Sequence, residues 1–379
     1  MIGVGLIGTG YIGKVHLEAL SRIGNVRVVS ITDTNKKMAE ESAALYGIPA
    51  VASDYKEIIH NPDIDVIHNC TPNKHHYNIT REAVLAGKQV LSEKPLSMSL
   101  SEAEELVDLA EKKRTVTGVH FCYRYYPVVQ EMAARIRSGK LGDIRMVTGT
   151  WFQDWLSKDT DYSWRLDKRE SGASNITADL GSHWFDLIQF VTGLKVKEVM
   201  GDMKTIIPLR KRPREQVLAF EKTAGLDYDE VKMELEEYSA VLFRLSNDAP
   251  GTFTTSQVCN GRKSDTEFQI YGKENSLAWN HNRSNELWIG YRDRPNETLI
   301  ESPLLQSRES RQYATLPAGH PLGYHDAVLN MFKDYYKAVE NGGAGGIAER
   351  PTFMTGYEEM KILDAVIRSV KQKTWIKID

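Results

Sequence analysis

The chain has 379 residues, a net charge of −3, and 41% hydrophobic and 26% charged residues. These values are typical of a globular protein and give no electrostatic reason to expect binding to nucleic acid or to an anionic membrane. The three cysteines, Cys70, Cys122 and Cys259, are widely spaced, which argues against a disulfide framework or a zinc site and favours a reducing compartment. The N-terminus lacks a signal-peptide pattern and no apolar run is long enough to cross a membrane. We expect a cytoplasmic protein with two domains.

Short apolar segments alternate with segments of helical periodicity up to about residue 120. The predicted strands are residues 2–7, 26–32, 65–70, 88–92 and 115–119. The predicted helices lie near residues 11–23, 35–46, 74–86 and 99–113, and Ser99 with Glu102 forms a capping box at the start of the last one. This alternation predicts an α/β domain with a parallel sheet and right-handed crossovers.

The pattern changes after Arg124, where segments with a period of two residues dominate. The predicted strands are residues 143–154, 195–206, 238–246, 251–259 and 266–272, and the predicted helices are 181–192, 324–340 and 353–371. We therefore predict two domains, 1–124 and 125–379, the second an α+β domain on a mostly antiparallel sheet. The basic stretch "PLRKRPRE" (208–215) is interpreted as a solvated loop rather than an anion site.

The first strand ends in "GTGYIG", which has the pattern G-x-G-x-x-G. Its glycines allow a tight turn, close approach of a pyrophosphate and close packing of helix on strand, and the helix N-terminus then faces the phosphates. A glycine turn without a ligand is the alternative. The cofactor-binding residues predicted here are Gly8, Gly10, Tyr11, Ile12 and Gly13.

Asp33 lies at the end of the second strand, 20 residues after Gly13. A carboxylate at this place can accept hydrogen bonds from the adenosine ribose and would repel a 2′-phosphate, so it favours NAD over NADP. Lys36 and Lys37 follow it and could partly offset this repulsion.

Two further strands end in "NCTPNKHH" (69–76) and "SEKP" (92–95). The carboxyl ends of parallel strands share the edge of the sheet where ligands bind. Residues 69–76 could equally be a turn that only starts the next helix. Lys94 could be an ordinary surface lysine. The cofactor-binding residues predicted from these stretches are Thr71, Pro72, Asn73, His76, Glu93 and Lys94.

The stretch "ASNITADLGSHWFDLIQFVTG" begins with polar residues and continues as an amphipathic helix. Asp179 and His183 are four residues apart and fall on one helix face, which Asp186 shares. Asp179 could be an N-cap beside a core histidine, or the pair could carry out proton chemistry with His183 as acid or base. A metal site would need more ligands than one helix supplies, and we predict no metal.

Taken together, these motifs resemble the glucose–fructose oxidoreductase / inositol dehydrogenase / MocA family. The matching stretches are "GTGYIG", "TPNKHH", "AGKQVLSEKP", "GVHFCYRYYP", "ADLGSHWFDLIQFVTG" and "PTFMTGYEEMKILDAVIRS". The resemblance implies a Rossmann domain followed by an α/β domain whose open sheet commonly forms an oligomer interface, and so a homo-oligomer.

The resemblance also implies roles for individual residues. Lys94 corresponds to the family's active-site lysine in Glu-Lys-Pro, and Asp179 and His183 correspond to its Asp-x-x-x-His pair. The implied reaction is hydride transfer between a ring-hydroxyl carbon of a sugar, glycoside or cyclitol and the nicotinamide of NAD. We favour His183 as the base and Lys94 as its electrostatic partner, although the residues leave the opposite assignment open.

Aromatic and polar residues between 123 and 184 favour an uncharged sugar or cyclitol as substrate, because aromatic rings pack against the C–H faces of sugars. Core packing is the alternative for about half of these rings. The predicted substrate-binding residues are Lys94, Tyr123, Arg124, Trp155, Trp164, Arg165, Asn175, Asp179, His183 and His320.

Three other functions remain open at the level of sequence. An NAD-dependent glycosidase would oxidise the sugar only transiently, and a reductase would run the reaction in reverse. A regulator that senses NAD(P) would bind it without turnover. The identity of the sugar and the choice between dimer and tetramer are also left open.

Overall fold

The computed structural model describes residues 1–214, 227–343 and 350–378. These residues form two compact units, each with its own core. Unit 1 comprises Met1–Phe121, Arg169–Gly172 and Val328–Met360, and unit 2 comprises Cys122–Lys168, Ala173–Ala327 and Lys361–Asp379. Unit 1 thus takes in two segments that follow the predicted boundary near residue 124.

Six strands among the described residues of unit 1 form one parallel sheet. They are β1 (Ile2–Ile7), β2 (Val26–Thr32), β3 (Ala50–Val51), β4 (Val66–Asn69), β5 (Gln89–Ser92) and β6 (Thr117–Val119). Their order is β3-β2-β1-β4-β5-β6, and the neighbouring strands are parallel. This order reverses at β1, and the carboxyl edge at such a reversal is where dinucleotides bind.

Helices connect these strands. They are α1 (Tyr11–Ser21), α2 (Lys36–Tyr46), α3 (Tyr55–His60), α4 (Asn73–Leu85) and α5 (Leu100–Lys113). The predicted capping box at α5 is confirmed: the Ser99 hydroxyl accepts from Glu102 N at 3.3 Å, and the Glu102 carboxylate accepts from Ser99 N at 3.2 Å. Buried side chains of Leu6, Leu17 and Ile31 pack between the sheet and these helices.

From residue 122 onward the chain forms unit 2 and the two later segments of unit 1. The elements are, in order, α6 (Pro127–Arg137), β7 (Ile144–Phe152), α7 (Lys168–Ser171), α8 (Ser182–Thr192), β8 (Val196–Lys204), β9 (Leu209–Pro213), β10 (Tyr228–Lys232), β11 (Tyr238–Leu245), β12 (Pro250–Ser256), β13 (Asp265–Gly272), β14 (Ser276–Asn280), β15 (Glu286–Gly290), β16 (Glu297–Ile300), α9 (Arg308–Arg311), α10 (Tyr324–Glu340), α11 (Phe353–Gln372) and β17 (Ile376–Lys377). No helix in the described ranges combines the length and the apolar character that crossing a membrane requires.

The large sheet of unit 2 has nine strands in the part of the chain that the structure describes, in the order β16-β15-β14-β13-β7-β12-β11-β8-β17. The β7–β12 pair is parallel and the other pairs are antiparallel, which confirms the mostly antiparallel sheet. Helix α8 packs on one face, where Trp184 stacks on Phe253 with ring centroids 4.4 Å apart. Gly149 makes room for it, since a Cβ there would lie 2.6 Å from the Trp184 ring.

The basic stretch at 208–215 is not the solvated loop that we predicted. Leu209–Pro213 is strand β9, paired with β10, and Arg210 is only 1% exposed. Its guanidinium donates to the Glu237 carboxylate at 2.7 Å and to carbonyl oxygens of Leu156, Lys158 and Asp161 at 2.7–2.9 Å. The prediction was wrong because a buried arginine with all these acceptors has the same sequence signature as a solvated one. Residue 215 lies outside the described residues.

Candidate active site

The glycine-rich loop between β1 and α1 has the geometry that dinucleotide binding requires. Gly8 has a φ of +96°, and a Cβ there would lie 2.6 Å from the Cys70 carbonyl oxygen. A Cβ at Gly13 would lie 2.1 Å from the carbonyl oxygen of Gly8, so the helix can pack this closely only with glycine. Gly10 is the N-cap of α1 and has no side chain that could cap the helix. Apart from its chain neighbours, no atom of the described residues lies within 4 Å of the position of a Cβ there. This leaves room and backbone donors for a pyrophosphate.

Asp33 lies beside this loop. Its Oδ2 accepts from Thr9 N at 2.6 Å and from Thr9 Oγ1 at 3.1 Å, and its Oδ1 accepts from Asn35 N at 2.9 Å. The carboxylate therefore joins the glycine loop to the end of β2, the place where an adenosine ribose would be bound. The residues present fit an NAD molecule. Of the other predicted loop residues, Tyr11 is 55% exposed and Ile12 packs on the core.

The turn after β4 is held by a dense set of hydrogen bonds. Thr71 Oγ1 donates to Asn69 Oδ1 at 2.7 Å, Pro72 is the N-cap of α4, and Asn73 Nδ2 donates to Ser171 O at 3.1 Å. His76 is buried, with Nδ1 2.7 Å from Pro95 O and Nε2 2.8 Å from Thr71 O. Burial lowers the pKa of His76, so the neutral ring donates to one carbonyl oxygen at a time. His76 thus connects the turns after β4 and β5.

Lys94 follows β5 at the same carboxyl edge and is half-buried. Its backbone N–H donates to Glu93 Oε2 at 3.3 Å, and its peptide bond to Pro95 is cis. The other oxygen of Glu93 lies 3.0 Å from His16 Nε2 and 2.5 Å from His120 Nδ1. This cluster of histidines was not predicted, because its members come from separate elements and no spacing pattern connects them.

In unit 2, Asp179 lies in a π-helical turn, Thr177–Gly181, that runs directly into α8. The backbone N–H of Ser182 donates to Thr177 O, five residues earlier, as in a π-helix. Such turns are frequent at functional sites. A four-residue step over this wide turn is expected to leave Asp179 and His183 on the same side of the helix, and their shared role in catalysis stays a prediction.

Polar groups of unit 2 surround the Asp179 carboxylate. Arg165 Nε lies 3.4 Å from Oδ1, and Gln257 Nε2 lies 3.4 Å from Oδ2. Asn175, which is 2% exposed, donates its Nδ2 hydrogens to Gln257 Oε1 at 2.9 Å and to Glu236 O at 3.0 Å. This fixes the orientation of the Gln257 amide, whose NH₂ group faces Asp179. The structure thus gives Asn175 a supporting contact, and its binding to substrate stays a prediction.

His183 is 7% exposed and lies among aromatic rings. The centroid of its ring is 5.2 Å from that of Tyr123 and 5.9 Å from that of Trp151. Tyr123 also contacts Tyr324 and His281, at 5.9 and 5.5 Å between centroids. The sequence analysis overlooked His281, which no motif marks.

The remaining predicted substrate residues of unit 2 differ in their surroundings. Arg124 is buried in a two-pronged ion pair with Asp186, Nε lying 2.8 Å from Oδ2, and this engagement gives no support to a substrate contact. Trp155 Nε1 donates to Gln153 Oε1 at 2.8 Å, and the Arg165 guanidinium lies 4.6 Å from the centre of the Trp164 ring. His320 is exposed. Their roles in binding substrate stay predictions.

Comparison with known proteins agrees with this geometry. Residues 2–121 match the family model described as the oxidoreductase family with an NAD-binding Rossmann fold, and residues 129–278 match the GFO/IDH/MocA C-terminal domain. Levoglucosan dehydrogenase of Pseudarthrobacter phenanthrenivorans is 29% identical, over 100% of this chain and 98% of its own. Inositol 2-dehydrogenase of Rhizobium meliloti is 26% identical, over 99% of this chain and 98% of its own.

A solved structure of levoglucosan dehydrogenase in complex with NADH and levoglucosan has a TM-score of 0.89 and 27% identity to this chain, and covers 100% of this chain and 99% of that one. These similarities do not favour the glycosidase or the non-catalytic regulator. Both domain models match in the expected order, and the glycine loop has the geometry that the first model requires. This chain belongs to the Gfo/Idh/MocA family of NAD-binding oxidoreductases.

Proposed function

We propose that this enzyme transfers hydride between a ring-hydroxyl carbon of an uncharged sugar or cyclitol and the nicotinamide of NAD. The observation that carries the proposal is the position of His183, which is surrounded by the rings of Tyr123 and Trp151 and follows Asp179 by one helical turn. Aromatic rings of this kind suit the C–H faces of a sugar ring, and a histidine beside them can exchange a proton with a hydroxyl.

We propose Lys94, Asp179 and His183 as the catalytic residues. Bound NAD would accept a hydride from the substrate carbon. A carbon releases hydride more readily as its hydroxyl loses a proton, and a positioned base contributes roughly 10²–10⁴ in rate. His183 takes this proton, the cationic Lys94 stabilises the developing negative charge on oxygen, and Asp179 orients the site. In this division of roles the positive charge lies on Lys94, which is half-buried, rather than on His183, which is buried.

Two of the relatives support an uncharged substrate. Their names specify levoglucosan, an anhydrosugar, and inositol, a cyclitol, and neither is charged. We propose a substrate of similar size and polarity.

Replacing Lys94 by Met tests the catalytic assignment. We expect NADH formation with a panel of neutral sugars, anhydrosugars and inositols in the wild type, and a loss of at least about 100-fold in kcat for K94M. NAD binding, measured by calorimetry, should survive. Lys112→Met on α5 removes a lysine far along the chain from the strand ends and should retain full turnover. Turnover by K94M at the wild-type rate would refute the assignment.

We also propose a cytoplasmic homo-oligomer that associates through the large sheet of unit 2. Its register places Met146, Leu242, Trp288 and Ile300 on one face, with 37–51% of each side chain exposed. Apolar surface of this kind marks association sites. The cytoplasmic location is supported by the buried Cys70 and Cys122, which are free thiols, as is usual in reducing compartments. Light scattering should give a multiple of the 42.9 kDa chain and a lower mass for Leu242→Glu. A wild-type monomer would contradict the proposal.

A further inference from the structure

Unit 1 contains a buried cluster of titratable side chains next to Lys94. The proposed reaction does not use this cluster. Its members are at most 6% exposed and form a continuous set of contacts. They are Tyr336, His68, His16, Glu93 and His120.

The distances in this cluster are those of hydrogen bonds. Tyr336 Oη lies 2.7 Å from His68 Nε2, and His68 Nδ1 lies 2.9 Å from His16 Nδ1. His16 Nε2 is 3.0 Å and His120 Nδ1 is 2.5 Å from the same Glu93 oxygen, Oε1. The ring of Phe332 packs edge-on against His16 and His68 at 4.8 and 5.1 Å between centroids. The cluster is therefore closed off by an apolar side chain.

The charge of each member follows from burial and from its partners. Burial lowers the pKa of His16 to about 4 and that of His68 well below 6.5, so both rings are neutral at pH 7. Burial alone would raise the pKa of Glu93, but the contacts with His120 and His16 hold it well below its usual range. Glu93 is consequently the carboxylate to which the two imidazoles donate.

Only one placement of the protons on His16 and His68 gives every hydrogen bond between Glu93 and Tyr336 both a donor and an acceptor. A carboxylate only accepts, so His16 donates from Nε2, and its Nδ1 must accept. The Cys70 thiol also lies 3.2 Å from His16 Nδ1 and can donate to it. His68 Nδ1, 2.9 Å from the same acceptor, must still carry a hydrogen, because two lone pairs would otherwise face each other. His68 therefore accepts at Nε2, where the Tyr336 hydroxyl is the donor. Burial raises the pKa of Tyr336, which keeps that hydroxyl protonated. The Glu93 carboxylate thus determines the tautomers of His16 and His68.

The same residues could be taken for a metal site, since atoms of His16, Glu93 and His120 lie within 4.8 Å of one another. Two ligands of a tetrahedral zinc ion, each about 2.0–2.1 Å from the metal, are about 3.3 Å apart. The 2.5 Å between His120 Nδ1 and Glu93 Oε1 is too short for two ligands of one zinc ion. The contact is therefore a short hydrogen bond between an imidazole and a carboxylate, a kind of bond that brings nitrogen and oxygen closer than a neutral pair.

We propose that Tyr336, His68, His16 and His120 are positioning residues that hold the Glu93 carboxylate in one orientation and, through it, the backbone of Lys94. Glu93 uses Oε1 for the two histidines and Oε2 for the N–H of Lys94. With both oxygens engaged, the carboxylate cannot rotate without breaking a hydrogen bond, and the loss of a buried hydrogen bond is unfavourable. The inference rests on the proposed function in one respect, namely that Lys94 is catalytic.

The test compares two adjacent buried tyrosines. Tyr336→Phe removes only the hydroxyl that donates to His68. Tyr335→Phe removes a hydroxyl outside the cluster, which donates to Val116 O at 3.3 Å. Nitrogen NMR of ¹⁵N-histidine-labelled protein distinguishes the two tautomers of each ring. We expect Nδ1–H for His68 and Nε2–H for His16 in the wild type and in both variants. The chemical shift of the unprotonated His68 Nε2 should change in Y336F, where this nitrogen loses its donor, and should stay at its wild-type value in Y335F.

Activity provides the second measurement. We expect kcat for Y336F to fall about 10-fold, with NAD binding unchanged, because a small displacement of a catalytic group costs rate rather than affinity. Y335F should keep its kcat. A His68 ring protonated at Nε2 in the wild type, one equivalent of metal in the purified protein, or a Y336F protein that matches Y335F in both measurements would overturn the inference. If the wild type oxidises no sugar, the proposed function fails, while the wild-type tautomers still decide the inference.

Discussion

Asp33 is the residue that connects the glycine loop to cofactor choice. Its carboxylate accepts from Thr9 N and Thr9 Oγ1, so it is already oriented before any ribose is bound. A hydrogen-bonded carboxylate at this position accepts from ribose hydroxyls and repels a 2′-phosphate. The same side chain therefore supports both the conformation of the loop and the preference for NAD.

Replacing Asp33 by Ser should weaken this preference. We expect the KM for NAD to rise about 10-fold, in line with the loss of one hydrogen bond to a charged group, and the ratio of kcat/KM for NAD over NADP to fall by at least as much. Steady-state kinetics with both cofactors measures this. Asp63→Ser, an exposed carboxylate in the same unit, is the control. An unchanged ratio in D33S would show that other residues select the cofactor.

At the scale of elements, strand β9 depends on a single buried side chain. Arg210 donates to Glu237 and to three carbonyl oxygens, and it thereby fastens β9 to residues 156–161. Both side chains of the pair are fully buried. Removal of the guanidinium would leave the Glu237 carboxylate with fewer donors in an apolar environment, which is more costly than loss of the pair as a whole.

Arg210→Met should therefore lower the free energy of unfolding by about 3–5 kcal/mol. Urea denaturation gives the value. The matched change is Arg214→Met, since Arg214 pairs with Asp229 on the surface, where such a pair contributes about 0–1 kcal/mol. Equal losses in the two variants would contradict the role that we assign to Arg210.

Elements with a strong local signal were predictable from sequence. The strands at 2–7 and 26–32, the glycine loop and the capping box at Ser99 agree with the structure. Strand β3 and helix α3 were missed because two and six residues are too short for a periodic pattern. Helix α6 was missed although Pro127 at its first turn is a typical start signal.

The site was predictable only where a motif spans neighbouring residues. Asp179 and His183 fall within one helix, so their spacing indicated a shared face. His16, His68 and Tyr336 meet through tertiary packing, which leaves no trace in local spacing. Arg124 is a further example: an arginine near aromatic residues suggested substrate binding, and its ion pair with Asp186 could not be read from local spacing, so its role in binding substrate stays a prediction.

At the scale of the whole molecule, the buried histidines make stability depend on pH. The pKa of His16 falls from 6.5 when unfolded to about 4 when folded. Between these values the unfolded chain binds more protons, so the free energy of unfolding falls as the pH falls. A shift of this size corresponds to about 3 kcal/mol, and Glu93, whose pKa is lowered in the folded state, adds a loss at still lower pH.

We expect the free energy of unfolding to decrease by about 2–3 kcal/mol between pH 7 and pH 4.5 through His16 alone. Urea denaturation across this range measures the slope. His16→Gln should reduce the slope, whereas His60→Gln, an exposed histidine on α3, should leave it unchanged. A slope that H16Q does not alter would show that other groups cause acid sensitivity.

Unit 1 is completed by residues 328–360, which the ribosome adds only after most of unit 2. Until then His68 lacks Tyr336, His16 lacks Phe332, and strand β6 lacks the backbone hydrogen bond from Val119 N to Pro351 O. Part of the apolar surface of the nascent Rossmann sheet therefore stays exposed to solvent while more than half of the chain is synthesised. Exposed surface of this kind promotes aggregation and chaperone binding. Conditions that slow translation after residue 121 should accordingly lower the yield of native enzyme more than its stability alone would suggest.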